Sequence, residues 1–365
     1  MPKKADKIFL LSFFALLIFG FVVFISASLG IYAQNNAKFT SIIFNQVFFG
    51  LFLGLIACLI TSKINYKYWN KFSFYIFLFS VLATLLVFIP DVGVNHGGAT
   101  RWIYIGSLSF QPLEFLKIGF IIYLAAWMSG MKDKVTTIKY GLLPLIILLG
   151  IVGAILLKQP DMDSFLIITF VGLAMYIIGG GRWRYVFLLL SIGLIGITAL
   201  IFMRPYLLDR VQTFLNPAAN PLTSGYQIQQ SLIAVGSGEI FGRGLGQSIQ
   251  KFKFLPESIG DAIFPIAAEE LGFIGSIIII FLFIFFMSRG LKVGSLAPDV
   301  FSRLLVSGIV ILITVQSFVN IGAMTGVLPL SGSPLIFFSQ GGTALFFTLA
   351  EIGMIINISK FRKLI

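Results

Sequence analysis

One cysteine, one histidine and 14 acidic residues are all that 365 positions hold of the side chains that most often ligate metals or carry redox chemistry. A lone Cys58 can form no intramolecular disulfide, and no metal-ligand spacing surrounds it. It sits inside an apolar run and reads as packing, while His96 lies in a glycine-rich loop with no partner in sequence and reads as a solvated side chain. Charged residues are only 11% of the chain, and no extended hydrophilic block interrupts it. That excludes a separate soluble domain of ordinary size, roughly 100 residues or more. What is abundant is hydrocarbon: 58% hydrophobic residues, 40 of them Phe, and a mean hydropathy of +1.00. Such a chain cannot hide its apolar side chains in a water-soluble core, and the composition predicts an all-α polytopic integral membrane protein. The net charge of +12 is spread in short basic clusters between apolar stretches. This is the pattern of the positive-inside rule, and it implies no nucleic-acid partner.

Apolar stretches of about 18–25 residues, the length of a membrane-crossing helix, fall near 8–28, 42–62, 72–90, 113–130, 141–157, 163–180, 185–203, 263–287, 304–327 and 341–359. The N-terminal MPKKADK and the apolar run after it have the outline of a signal peptide, but no small-residue cleavage site stands out, so a retained first helix is expected. With ten helices, Lys3, Lys4, Lys7, Lys63, Lys67, Lys71, Lys132, Lys134, Lys139, Arg182, Arg184, Arg289, Lys292, Arg303, Lys360, Arg362 and Lys363 share one side. That side should be cytoplasmic, with both termini on it. The whole of 1–365 then reads as a single membrane domain. One connection, 204–262 between the seventh and eighth helices, is much longer than the rest and falls on the outer side. Loops of that length are functional or disordered, and Tyr206, Leu207, Tyr226, Ile228 and Ile240 give this one apolar surface to bury. Short amphipathic or re-entrant segments against the outer leaflet are expected. Its glycines at 236, 238, 242, 244 and 246 lack the preceding strand and the Gly-Lys-Ser/Thr of a phosphate-cradling loop.

The chemistry gathers in KFKFLPESIGDAIFPIAAEELGFIGS, residues 251–276, where several acids meet a long apolar segment. Asp261 stands where water meets hydrocarbon, a position that marks either a functional ionisable group or a helix cap. Elsewhere on the outer side, Glu114 and Lys117 are three apart on one helix face, where a salt bridge would lock two helices or line a site. Arg101 beside Trp102 is an interfacial anchor or a grip on an anionic headgroup, since guanidinium matches phosphate oxygens bidentately. Gln111-Pro112 and Gln159-Pro160 each precede a span and an acid, and Asp161 and Asp163 open the sixth span as caps. Glu351, inside the last span, faces a cavity or a partner helix.

Several ordered motifs together resemble the SEDS family of cell-wall polymerases, the bacterial FtsW and RodA proteins. They are ISAS in the first helix, GGATRWIYIGSLSFQPLEFLK, KQPDMDS, GYQIQQSLIAVGSGEIFGRGLGQSIQKFKFLPES, GDAIFPIAAEELGFIG and NIGAMTGVLPLSGSPLIFFSQGG. The ISAS segment and the GRGLGQSIQK run are more similar to the division-specific FtsW branch. Where the family has Leu-Pro-Glu-Ala-His-Thr-Asp, this chain has Leu255-Pro256-Glu257-Ser258-Ile259-Gly260-Asp261, keeping the acids and losing His and Thr; Gln340 replaces a common Tyr.

The resemblance implies about ten transmembrane helices with a large extracytoplasmic loop between helices 7 and 8, in the bacterial plasma membrane at the division septum. It implies a peptidoglycan glycosyltransferase that polymerises lipid II, a divalent cation (Mg or Mn), and a class B penicillin-binding protein as partner among membrane lipids and other division proteins. Asp261 is expected to act as base or cation ligand, aided by Glu257. Arg101, Lys117, Arg243, Lys251 and Lys253 are candidates for the anionic leaving group, and Gln111, Glu114, Gln159 and Asp161 complete the expected substrate site. A helix N-terminus would weaken Asp261 as a base and burial would strengthen it. A lipid II flippase, an elongation-type RodA polymerase and a non-catalytic division scaffold are the alternatives.

Overall fold

A computed structural model describes residues 4–33, 36–96, 99–105, 108–218, 224–252 and 254–362. Eight helices are long and apolar enough to cross a membrane: Lys7–Tyr32, Phe39–Lys63, Pro112–Thr136, Ile138–Lys158, Trp183–Met203, Ile263–Ser295, Val300–Met324 and Gly342–Ser359. Two shorter apolar helices, Ser73–Phe88 and Met162–Ile178, stand where the third and sixth spans were expected. In finer division these are α1 (Lys7–Tyr32), α2 (Asn36–Phe44), α3 (Gly54–Lys63), α4 (Tyr66–Lys71), α5 (Ser73–Leu85), α6 (Pro112–Met131), α7 (Leu143–Lys158), α8 (Met162–Ile178), α9 (Trp183–Met203), α10 (Pro205–Leu215), α11 (Ser224–Ser237), α12 (Ile263–Ser295), α13 (Val300–Met324) and α14 (Gly342–Ser359). A π-helical stretch, Asn45–Leu53, joins α2 to α3. Helix is the natural outcome for such runs, because it satisfies every backbone polar group inside the segment.

The bundle is organised around α13, 83% of whose apolar window is buried, against 6% for the peripheral α9. Both chain ends lie on one face. Asp6 caps α1 by accepting from Phe9 N at 2.9 Å, and its buried carboxylate also takes Arg289 Nη2 from α12 at 2.6 Å and Arg362 from beyond α14. Burial by itself would raise the Asp6 carboxyl, but the bonds from Arg289 and Phe9 and the two guanidinium charges hold it below the ordinary carboxylate value.

The opposite face carries what the sequence did not announce. Between α5 and α6 lies a three-stranded antiparallel sheet, β1 (Gly93–His96), β2 (Ala99–Ile105) and β3 (Leu108–Phe110), in the order β1-β2-β3, with Gly93 opposite Ile103 and Ile103 opposite Phe110. An all-helical membrane part thus bears a small sheet outside it. Thr-Arg-Trp-Ile-Tyr-Ile is β-branched and aromatic, which suits a pleated, half-buried ribbon. Thr343 Oγ1 donates to Ser109 O at 2.9 Å and ties β3 to α14.

The long connection 204–262 contains α10, α11 and an irregular stretch from 238 onward. That stretch closes on a break in α12 at Gly272, whose φ of 69° and ψ of −166° interrupt the helix. A break frees carbonyls on one side and N–H groups on the other, and buried backbone groups must find partners. Here Glu269 O and Glu270 O accept from Arg243 N and Gly244 N, both at 3.0 Å, while Phe273 N and Ile274 N donate to Glu239 O and Ile240 O at 2.8 and 3.2 Å. A Cβ at Gly272 would stand 2.6 Å from Ile240 O, and Gly242 and Gly244 also have positive φ. The glycine run therefore lets two backbones meet at a helix break. Its N–H groups at 243 and 244 are consumed by α12, so it is not a ligand cradle.

Candidate active site

The site is built where four segments converge on the face opposite the termini. Asp261 ends the long connection, just before α12. The helix cap is Ala262, with no side-chain cap bond, so the capping role open to Asp261 is not the one it plays. Its backbone is held by three successive carbonyls turned to one side. Ile259 O accepts from Gln340 N at 2.7 Å, Gly260 O from Ser339 Oγ at 2.7 Å, and Asp261 O from Asn320 Nδ2 at 2.7 Å. Asn320 is fully buried on α13 and also donates to Ser333 O at 2.8 Å. The 331–341 loop is pinned in turn by Gln46, which donates to Ser339 O and accepts from Gly341 N. Asp261 thus has a fixed backbone and a carboxyl free to meet a ligand.

Arg101, on β2, reaches the same spot from the sheet. Its Nε donates to Gln159 O at 3.3 Å and stands 3.7 Å from Asp161 Oδ2, and Nη2 donates to Pro160 O. Asp161 caps α8 through Ser164 N, and Asp163 two residues on accepts from Arg210 of α10 at 2.9 and 3.0 Å and from Gly332 N at 3.0 Å. Gly332 borders both reactive groups. A Cβ there would sit 3.6 Å from Asp261 Oδ2 and 4.0 Å from Arg101 Nη1. Glu257, exposed and with φ of 48°, lays its carboxylate over Gly260, where a Cβ would be 3.2 Å from Oε2.

Four carboxylates, Glu257, Asp161, Asp163 and Asp261, face two guanidinium groups. The consequence is electrostatic: burial first, then the charges of Glu257, Asp163 and Asp161, outweigh the attraction of Arg101 and push the Asp261 carboxyl from an ordinary 3.8 up to about 7. A base poised near neutral pH is what general-base catalysis requires. The acid-rich setting also suits a cation, although among the described residues no three Asp, Glu, His or Cys side chains form a closed metal cage.

Gly332 offers a test that leaves every charged group in place. Alanine should be accepted there, while valine would fill the gap between Asp261 and Arg101. Gly332→Val is expected to lower turnover on the order of 10²-fold, the cost of misplacing reacting groups by about 1 Å. Thermal stability should not change, because the position is exposed. A turnover equal to wild type would show that nothing passes between the two groups.

A model of the cell cycle protein family FtsW/RodA/SpoVE matches residues 6–364. The chain belongs to this FtsW/RodA/SpoVE family. It is 38% identical over 361 residues to the probable peptidoglycan glycosyltransferase FtsW of Geobacter metallireducens, covering 99% of this chain and 96% of that one. It is 37% identical over 311 residues to stage V sporulation protein E of Bacillus subtilis, covering 85% of each. In three dimensions it is similar to the rod shape determining protein RodA of Thermus thermophilus, with a TM-score of 0.71, 25% identity and coverage of 98% of this chain and 97% of that chain. It is also similar to a chain from a peptidoglycan synthase complex, with a TM-score of 0.79, 26% identity and coverage of 97% of both.

Of the cations expected at an anionic ligand, only Arg101 comes to Asp261 among the described residues. Lys251 is instead buried, its Nζ 2.7 Å from Glu270 Oε1 and 3.2 Å from Ser26 O. Arg243 lies over Glu269, 3.5 Å from Oε1. Lys117 is buried between Glu114 at 2.8 Å and Gln316 at 2.9 Å. Lys253 lies outside the described residues. The reason is common to the three: acids taken into the low-dielectric interior must be paired, and they claim the nearest cations. Gln111 precedes α6 without a side-chain cap bond, and Gln159 is buried, with Nε2 donating to Thr84 O and its backbone carbonyl serving Arg101. Neither Gln111 nor Glu114 joins the Asp261 cluster through any bond described. Asp163, Arg210, Asn320, Gly332 and Ser339 were missed. The Asp163 carboxyl had a signal in sequence that a capping role absorbed, while Asn320, Gly332 and Ser339 lie inside the NIGAMTGVLPLSGSPLIFFSQGG motif without chemistry that sets them apart from it.

Proposed function

We propose that this chain is a peptidoglycan glycosyltransferase that polymerises lipid II, with Asp261 as the group that takes the proton from the acceptor sugar hydroxyl. The observation that carries the reading is the convergence of Asp261 and Arg101 on Gly332, one with a carboxyl poised near neutrality and the other a fixed cation. Transglycosylation needs those two properties at one place: a base for the incoming hydroxyl and positive charge for the departing pyrophosphate. Arg101 is oriented for the second task by the carbonyls of Gln159 and Pro160 and by Asp161. Glu257 keeps negative charge beside Asp261 and so keeps its carboxyl basic.

A divalent cation fits this acid-rich cluster. Mg²⁺ is typically bound through one or two carboxylates plus phosphate oxygens, and Asp261 would hold it here; when bound it would add positive charge at the pyrophosphate. Basic residues of the terminal face, among them Lys63, Lys132, Arg182 and Arg289, support a cytoplasmic location for both termini and so an Asp261 that faces outward from a bacterial plasma membrane. The likeness to relatives called FtsW supports work at the division septum, and the likeness to a chain of a peptidoglycan synthase complex supports a class B penicillin-binding protein as partner.

The test is polymerisation of lipid II by the purified full chain, alone and with a class B penicillin-binding protein, with and without chelator. Below about pH 7 the carboxyl of Asp261 is protonated and cannot accept the hydroxyl proton. The rate should therefore rise with pH through that value and level off above it. Added Mg²⁺ should move the rise to lower pH if the carboxylate also holds the ion, because positive charge favours the ionised form. Transfer of labelled lipid II across vesicles with no polymer formed would defeat the polymerase reading in favour of a flippase.

A further inference from the structure

Glu351 is an acid that the proposed chemistry does not use. It lies on α14 within a span, is 3% exposed, and among the described residues takes no hydrogen bond and no ion pair. It lines a small cavity of about 10 Å³ together with Glu114 of α6, Gln316 of α13 and Thr348 one turn back on its own helix. Such a volume is near the least that accepts one water-sized species. The charged groups that reach Glu351 are Glu114, which repels it, and Lys117, which attracts it. Gln316 is the polar group facing it from α13. From α3, Thr61 bonds Ala350 O and Cys58 lies against Gly353, so neither supplies charge.

Counting charge leaves a deficit. Lys117 is committed to Glu114 at 2.8 Å and to Gln316 Oε1 at 2.9 Å, and that pair is neutral. Glu351 adds a second carboxylate for which the described residues supply no cation of its own. A bare charge at that depth is far more costly than the marginal stability of a fold tolerates. We propose that Glu351, Glu114 and Thr348 form an intramembrane site for a single monovalent cation, a proton or a sodium ion. Its occupant keeps Lys117 on Glu114 and Gln316. Gln316 Nε2 in turn donates to Pro334 O at 3.4 Å, in the loop that carries Gly332 and whose Gln340 and Ser339 hold the two carbonyls just before Asp261. With the site empty, Glu351 competes for Lys117 and that link to the loop loosens.

The experiment is thermal unfolding of the full chain in micelles, in an Asp261→Asn background that removes the titrating group of the active site. It compares that protein with Asp261→Asn/Glu351→Gln across pH, in sodium chloride and in N-methylglucamine chloride of equal ionic strength. If the occupant is a proton, the first protein loses Tm as pH rises, because the folded state alone binds that proton, and the Glu351→Gln protein loses less. If it is sodium, Tm rises by a constant increment for each tenfold increase in sodium above saturation, and Glu351→Gln abolishes the increment. Identical pH and sodium responses from the two proteins overturn the proposal. Should Glu351→Gln fail to fold, infrared spectra of the Asp261→Asn protein decide alone: a protonated-carboxyl band that vanishes at high pH, or a carboxylate shift on adding sodium, supports the site, and neither signal overturns it.

Discussion

Asp261→Asn is expected to reduce lipid II polymerisation on the order of 10²- to 10⁴-fold, the range that a positioned base contributes, while leaving the protein folded and able to bind lipid II. Asparagine keeps the shape of the side chain and leaves the backbone bonds untouched. Ile259 O, Gly260 O and Asp261 O would still be held by Gln340, Ser339 and Asn320. What disappears is the proton acceptor and the negative charge. The variant should also lose the rise of rate with pH near 7, because the group responsible has gone. Binding measured with labelled lipid II separates this from loss of the site as a whole. Wild-type polymerisation by Asp261→Asn would remove the residue from the mechanism.

Lys251→Met should destabilise the protein by about 3–5 kcal/mol, the cost of stranding one member of a buried ion pair. Lys251 and Glu270 are both enclosed, and their bond belongs to a network that fastens the long connection to the bundle. Ser26 of α1 donates to Glu270 and accepts from Gly246 N, while Glu269 accepts from Ser248 Oγ, Ile249 N and Gln250 N. Unfolding in micelles should show the loss, and the double variant Lys251→Met/Glu270→Gln should recover part of it, since no bare carboxylate is left. A phosphate-gripping lysine would behave otherwise, with stability unchanged and KM raised. That result would return Lys251 to the substrate site.

These two residues show how much of the site could be read from order alone. Asp261 stood out because an acid beside an apolar run is costly wherever it sits, and the resemblance to the cell-wall polymerases, not that cost, placed it in the expected site. Lys251 was misplaced because a cation ten positions before Asp261 is close in sequence, yet the backbone turns it inward onto α12. The acids that claim it, Glu269 and Glu270, were in plain view, but only the break at Gly272 brings the 239–251 stretch against them. The sheet was missed for a related reason: its strands are short, and its pairing depends on turns that hydropathy does not weigh.

Composition and the spacing of apolar runs were enough to establish a helical membrane protein and the positions of its long apolar helices. Hydrocarbon length and the cost of unpaired backbone in lipid act locally, one segment at a time. Which acid remains without a partner is a different kind of question. It turns on which cations the folded chain has already placed beside other acids, and such pairings join residues as distant as Ser26 and Glu270 or Asp163 and Gly332. Charge in a low-dielectric interior is settled by three-dimensional neighbours. Tertiary structure alone therefore decided that Arg101 meets Asp261, and that Lys117, Arg243 and Lys251 do not.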